Sequence, residues 1–158
     1  MEAAAVPLII FWLFLCALQD VHQRRISNFL TLPVFLFSLI WLLWQGSTLS
    51  GAPAMQGATA ALIAVALTLP GFLAGKMGAG DIKMMLALAL LSGPMPLLWA
   101  FVLAAVTMLL WRIGSGHFWQ LLPVQIKEYA WTLSPEQRHK LPYAPFIFLG
   151  AAIYLSFS

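Results

Sequence analysis

The sequence predicts an all-α fold: a polytopic membrane bundle of six transmembrane helices with both termini on the outer side. Three observations point there. Hydrophobic residues make up 62% of the 158 and charged ones 8%, with a mean hydropathy of +0.91, whereas about a quarter of an ordinary soluble domain is charged. A span needs roughly 20 apolar residues, so this length accommodates about six with short loops and leaves no room for a separate soluble domain. Finally, a six-span topology places all eight Lys and Arg on one side, Arg24, Arg25, Lys76, Lys83, Arg112, Lys127, Arg138 and Lys140, as cytoplasmic loops require.

The elements follow from charges and breakers. The first span covers about residues 4–20; its only early charge is Glu2 and no small-residue cleavage site follows, so it reads as a retained helix rather than a signal peptide. After Asp20 a polar turn runs through His22, Arg24, Arg25 and Asn28. The second span, about 28–45, is capped by Ser27 or Asn28, and Pro33 either kinks it or marks a later start. Residues 45–53, rich in Gly and Ser and closing on Pro53, turn the chain into a third span over about 54–74.

From Ile82 to Trp111 the chain is apolar except for Lys83, with Ser92-Gly93-Pro94-Met95-Pro96 in the middle. One kinked helix and two shorter ones both fit the length. A single helix would send the last four basic residues across the membrane, so charge favours two spans, about 80–92 and 95–112. Residues 113–140 form the one sizeable loop, whose mix of aromatic and charged residues suits a segment lying on the headgroups. A last span, about 141–157, starts irregularly at Leu141-Pro142-Tyr143-Ala144-Pro145. The whole chain, 1–158, reads as one domain.

Asp20 and Asp81 are the only aspartates, and an ionisable residue near hydrocarbon is a functional candidate by default. The six-span topology brings both to the cytoplasmic end of their helices. Two carboxylates in contact do not both ionise readily and share a proton instead. One then acts as base on a water that attacks a peptide carbonyl, while the other donates to the oxyanion. Gly78 and Gly80 before Asp81 leave backbone that a peptide substrate can approach; a flexible loop-to-helix junction explains them equally well. Such chemistry needs no metal or cofactor. Cys16 is the single cysteine, which excludes an internal disulfide and a Cys-x-x-Cys site. His22, His117 and His139 lack metal-like spacing.

Asp20 followed by Arg24-Arg25-Ile26-Ser27-Asn28, and then Gly78-Ala79-Gly80-Asp81-Ile82-Lys83, resembles the type IV prepilin peptidases, which with presenilin belong to the Gly-x-Gly-Asp intramembrane aspartyl proteases. Length, span count and the proline-rich last span are similar too, so the resemblance covers nearly the whole chain. It implies cleavage of the basic leader of prepilins or pseudopilins at the cytoplasmic face of the bacterial inner membrane, with Asp20 and Asp81 as the catalytic pair. Gly78, Gly80, Lys83 and Pro145 are the implied substrate-binding or supporting residues. Larger members carry a Cys-x-x-Cys insertion associated with N-methylation; this chain has none, like the small peptidases of tight-adherence (Flp-type) pilus systems. Ser27 stands where many members have proline.

Lys83 can hold a lipid phosphate, a substrate carbonyl or Asp81, or simply snorkel to the interface. Arg24 and Arg25 serve as topology anchors, since they would repel a basic leader. The pI of about 9.4 reflects orientation rather than nucleic-acid binding; the partners are the substrate and membrane lipids. Two other functions fit the composition. In a transporter, Asp20 and Asp81 would relay protons or cations, but such groups belong through the membrane or at its midplane. In a non-enzymatic assembly factor they would pair with Lys76, Lys83 or Arg112, leaving the glycines without a purpose.

Overall fold

The computed structural model describes residues 5–137 and 141–157, and within them the fold is helical with no strand. Seven α-helices follow one another: α1 Ala5–Gln23, α2 Asn28–Gln45, α3 Ala54–Leu73, α4 Ala79–Ser92, α5 Pro94–Leu121, α6 Val124–Tyr129 and α7 Ala144–Phe157, with two 3-10 turns, Trp131–Leu133 and Pro135–Gln137, after α6. Arg138, Lys140 and His139 lie outside the described residues.

Four helices, α1, α2, α3 and α5, are long and apolar enough to cross a membrane. Helices α4 and α7 have 14 residues each, about 21 Å at 1.5 Å per residue, against a hydrocarbon core of about 30 Å. What α4 lacks in length it gains in burial: it packs against α1, α2, α3 and α5, and Met84, Met85, Ala87, Leu88 and Ala89 are all wholly buried. A helix apolar on every side belongs at the centre of a bundle. The outer helices turn side chains such as Phe29, Leu43, Trp44 and Leu62 outwards, an apolar surface suited to lipid.

The expected break at 92–96 is present. Gly93, at φ +85°, ends α4, and Pro94 opens α5. Ser50 in the turn between α2 and α3 fastens this corner, its amide donating to Leu91 O (3.0 Å) and its hydroxyl to Ser92 O (3.0 Å). Small residues set the tightest helix crossing: a Cβ on Gly150 of α7 would press into the Ala100 carbonyl oxygen of α5 and stand 3.1 Å from Ala104 N, the small-residue contact typical of membrane helices.

Two boundaries differ from expectation, and at α2 one of the two alternatives is the one that occurs. Helix α1 continues past Asp20 to Gln23 and stops at Arg24, whose φ of +52° terminates it in the left-handed manner of a helix C-cap. Pro33 lies inside α2, which starts at Asn28, so the later start does not occur. Helix α5 runs to Leu121, well past 112. Residues 113–137 are therefore largely helix and turn, and the aromatic part of this stretch folds against α1. Tyr129 Oη donates to Leu18 O (3.4 Å), Trp131 Nε1 to His22 O (2.9 Å) and Thr132 Oγ1 to Val21 O.

Candidate active site

Asp20 lies in the last turn of α1 and Asp81 in the first turn of α4, and both are buried. They line one cavity of about 520 Å³ with the 24–28 loop, residues 75–80 and residues 141–143. The cavity thus forms where the end of α1 and the starts of α2, α4 and α7 converge.

Each carboxylate is held at the N-terminus of a helix. Asp81 is the third residue of α4, and its Oδ2 reaches back to accept the Gly78 amide (2.9 Å), a capping contact from the position where a carboxylate normally makes it. Asp20 Oδ2 accepts the amide of Ala144 (3.0 Å), the first residue of α7. Amides in a first helical turn lack intrahelical acceptors and favour negative charge. Prolines 142 and 145 carry no N–H, so Tyr143 and Ala144 are the donors this stretch can offer. Asp81 Oδ1 is buried with no hydrogen-bond partner among the described residues. A bound water or a proton shared across the pair would satisfy it.

The 24–28 loop ties these elements together. Ser27 N donates to Gln19 Oε1 (2.9 Å), anchoring the loop to α1. Lys83 Nζ donates to Asn28 Oδ1 (2.7 Å), linking α4 to the start of α2. Between them Ile26 presses on Gly80: a Cβ there would lie 2.9 Å from Ile26 O and 3.1 Å from Ile26 Cβ. Gly80 thus admits the chain's own backbone at this helix junction. Gly78, by contrast, is exposed and borders the cavity.

Of the candidate residues, Asp20, Asp81, Gly78 and Gly80 line the cavity; Lys83 and Pro145 do not. Arg24, Arg25 and Lys76 also line it. Arg24 places its guanidinium 5.0 Å above the Trp131 ring, and His22 stacks on Tyr129 at 4.7 Å. Sequence reading missed the Ala144 amide and the Asn28 partner of Lys83. The prolines around Ala144 were the available signal for the first; nothing local signals the second.

Fold and site together define a helical membrane protein that gathers two carboxylates at a polar cavity between helix ends, an arrangement equipped for acid–base chemistry. The chain belongs to the type IV leader peptidase family, whose model matches residues 8–113. It is a protease of the leader-peptidase type, and the match spans both aspartates while ending before α6 and α7. No curated protein and no solved structure matches it.

Proposed function

We propose that this protein is an aspartyl endopeptidase of the bacterial inner membrane that removes the basic leader of type IV prepilins or pseudopilins on the cytoplasmic side. The observation that carries the reading is the convergence of Asp20 and Asp81 on one cavity, each held by a helix-start amide, in a chain of the leader peptidase family.

The pair shares one proton. The ionised carboxylate takes a proton from water as the water oxygen bonds to the scissile carbonyl carbon, and the protonated partner gives its proton to the carbonyl oxygen as that carbon becomes tetrahedral. Collapse then returns one hydroxyl proton to the carboxylate that had donated it, re-forms the carbonyl and breaks the C–N bond, with the leaving amine accepting a proton from the carboxyl that collected it from water. Gly78, exposed at the cavity edge, leaves main chain accessible to an extended peptide. Gly80, Lys83 and Pro145 act in support: Gly80 seats α4 on Ile26, Lys83 ties α4 to α2, and Pro145 limits the donors around Ala144.

All of residues 1–158 form one peptidase unit with six spans, in which α4 and α7 cross as short helices shielded by their neighbours. Arg24, Arg25 and Lys76 border the cavity, and the preference of basic residues for the cytoplasmic side turns the cavity inward and both termini outward. A proton relay fits this arrangement less well, because both acids line the same end of the bundle.

Co-expression with a prepilin tests the reading. Asp20→Asn and Asp81→Asn are each expected to leave the leader uncut while the variant accumulates in the membrane; processing at a wild-type level by either would overturn the paired mechanism.

A further inference from the structure

The segment after α6 grips the end of α1 more closely than a loop needs to. Val21 O and His22 O lie in the last turn of α1, where carbonyls have no intrahelical partner. Thr132 Oγ1 and Trp131 Nε1 donate to them, and Tyr129 Oη donates to Leu18 O a turn earlier. Two ring contacts accompany these bonds, His22 on Tyr129 and Arg24 over Trp131. On its other side the segment is fixed to α5, where Trp111 Nε1 donates to Leu133 O (3.1 Å). Thr132 is fully buried. Asp20 lies in the gripped turn, adjacent to Val21, and its carboxylate must meet the Ala144 amide of a third element. A rotation or slide of that turn would break this contact.

We infer that residues 129–133 form a strap that positions Asp20, with Thr132 as its principal positioning residue. The inference rests on the reading of Asp20 as one of the catalytic pair. It assigns a purpose to a segment beyond the part of the chain matched by the family model. The strap holds α1 by main-chain carbonyls, so it fixes the helix end without approaching the carboxylate. Misplacement of a reacting group by about 1 Å can cost on the order of a hundredfold in rate; loss of one of several ties should cost about tenfold.

The test uses the full chain in detergent with a prepilin that the wild-type protein cleaves, comparing Thr132→Val, Thr132→Ser and Asp20→Asn. Thr132→Val keeps the shape and removes the donor. It is expected to lower kcat about tenfold with KM within about twofold. The pH–rate profile, which belongs to the coupled pair, should shift with it, since a carboxylate that loses a donated N–H changes the proton balance of the pair. Thr132→Ser, which keeps the hydroxyl, should return kcat to within about twofold of wild type. Wild-type kcat and pH profile in Thr132→Val would overturn the strap, as would equal impairment of the Val and Ser variants, which signifies packing alone. If Thr132→Val does not accumulate, Trp131→Phe at the half-exposed neighbouring position is judged by the same kcat and pH criteria. Asp20→Asn separates the two levels: an inactive Asp20→Asn beside a normal Thr132→Val rejects only the strap, whereas cleavage by Asp20→Asn rejects the catalytic pair beneath it.

Discussion

Replacing Gly80 with alanine should damage catalysis as well as stability, and the structure supplies the scale. The added Cβ would sit 2.9 Å from Ile26 O, and ordinary contact begins near 3.4 Å, so α4 and the 24–28 loop must separate by about 0.5 Å. Asp81 is the next residue and moves with the backbone. Overpacking of this kind costs typically 1–3 kcal/mol, but alanine in a helix recovers up to about 1 kcal/mol relative to glycine, so the net loss of stability should lie between about 0 and about 3 kcal/mol. Displacement of a catalytic carboxylate by half an ångström, scaled from about a hundredfold per ångström, lowers cleavage about tenfold. Gly78→Ala is the control for stability: its Cβ would meet Asp81 Oδ2 at 3.4 Å, an ordinary contact, at a φ of −85° that alanine adopts. Cleavage of a prepilin by each purified variant, with thermal unfolding measured in the same detergent, separates the effects. Equal activity of Gly80→Ala and wild type, or a greater loss of stability in Gly78→Ala than in Gly80→Ala, would refute the reasoning.

Other substitutions probe the frame around the site. Gly150→Ala should force α7 from the Ala100 carbonyl and destabilise the protein by about 2 kcal/mol, read as a lower unfolding temperature in detergent; an unchanged temperature would contradict the close crossing of α5 and α7. Lys83→Met removes one exposed hydrogen bond to Asn28, worth about 1 kcal/mol or less, so cleavage should stay within about threefold of wild type. A hundredfold loss would show instead that the ammonium serves the substrate.

The helices and the acid pair were legible in the sequence for the same reason: in a chain this apolar, each polar residue or breaker carries positional information. Gly93-Pro94 marked a true break, and the two aspartates stood out because acids in hydrocarbon are costly. Helix ends were less legible. His22 and Gln23 look like loop, yet α1 continues until Arg24 turns left-handed, an outcome supported by donors more than a hundred residues away. For the same reason the carbonyl partners of Tyr129 and Trp131 were not legible: composition does not distinguish a phenol O–H or indole N–H facing a headgroup from one facing a carbonyl. The Gly80 contact was illegible because its partner is backbone, the Ile26 carbonyl, which has no sequence signature. The short α4 and α7 were visible as apolar runs, but their depth in a bilayer depends on how neighbouring helices enclose them.

The central claim is that Asp20 and Asp81 act as one catalytic unit, and a mutant cycle on purified protein measures this directly. Initial rates of prepilin leader cleavage would be compared for wild type, Asp20→Asn, Asp81→Asn and the double variant. Groups that work together are strongly non-additive, so each single variant should fall by at least about a thousandfold and the double variant no further. A single variant retaining a tenth of the wild-type rate, or a double variant whose loss is the product of the two single losses, would contradict it.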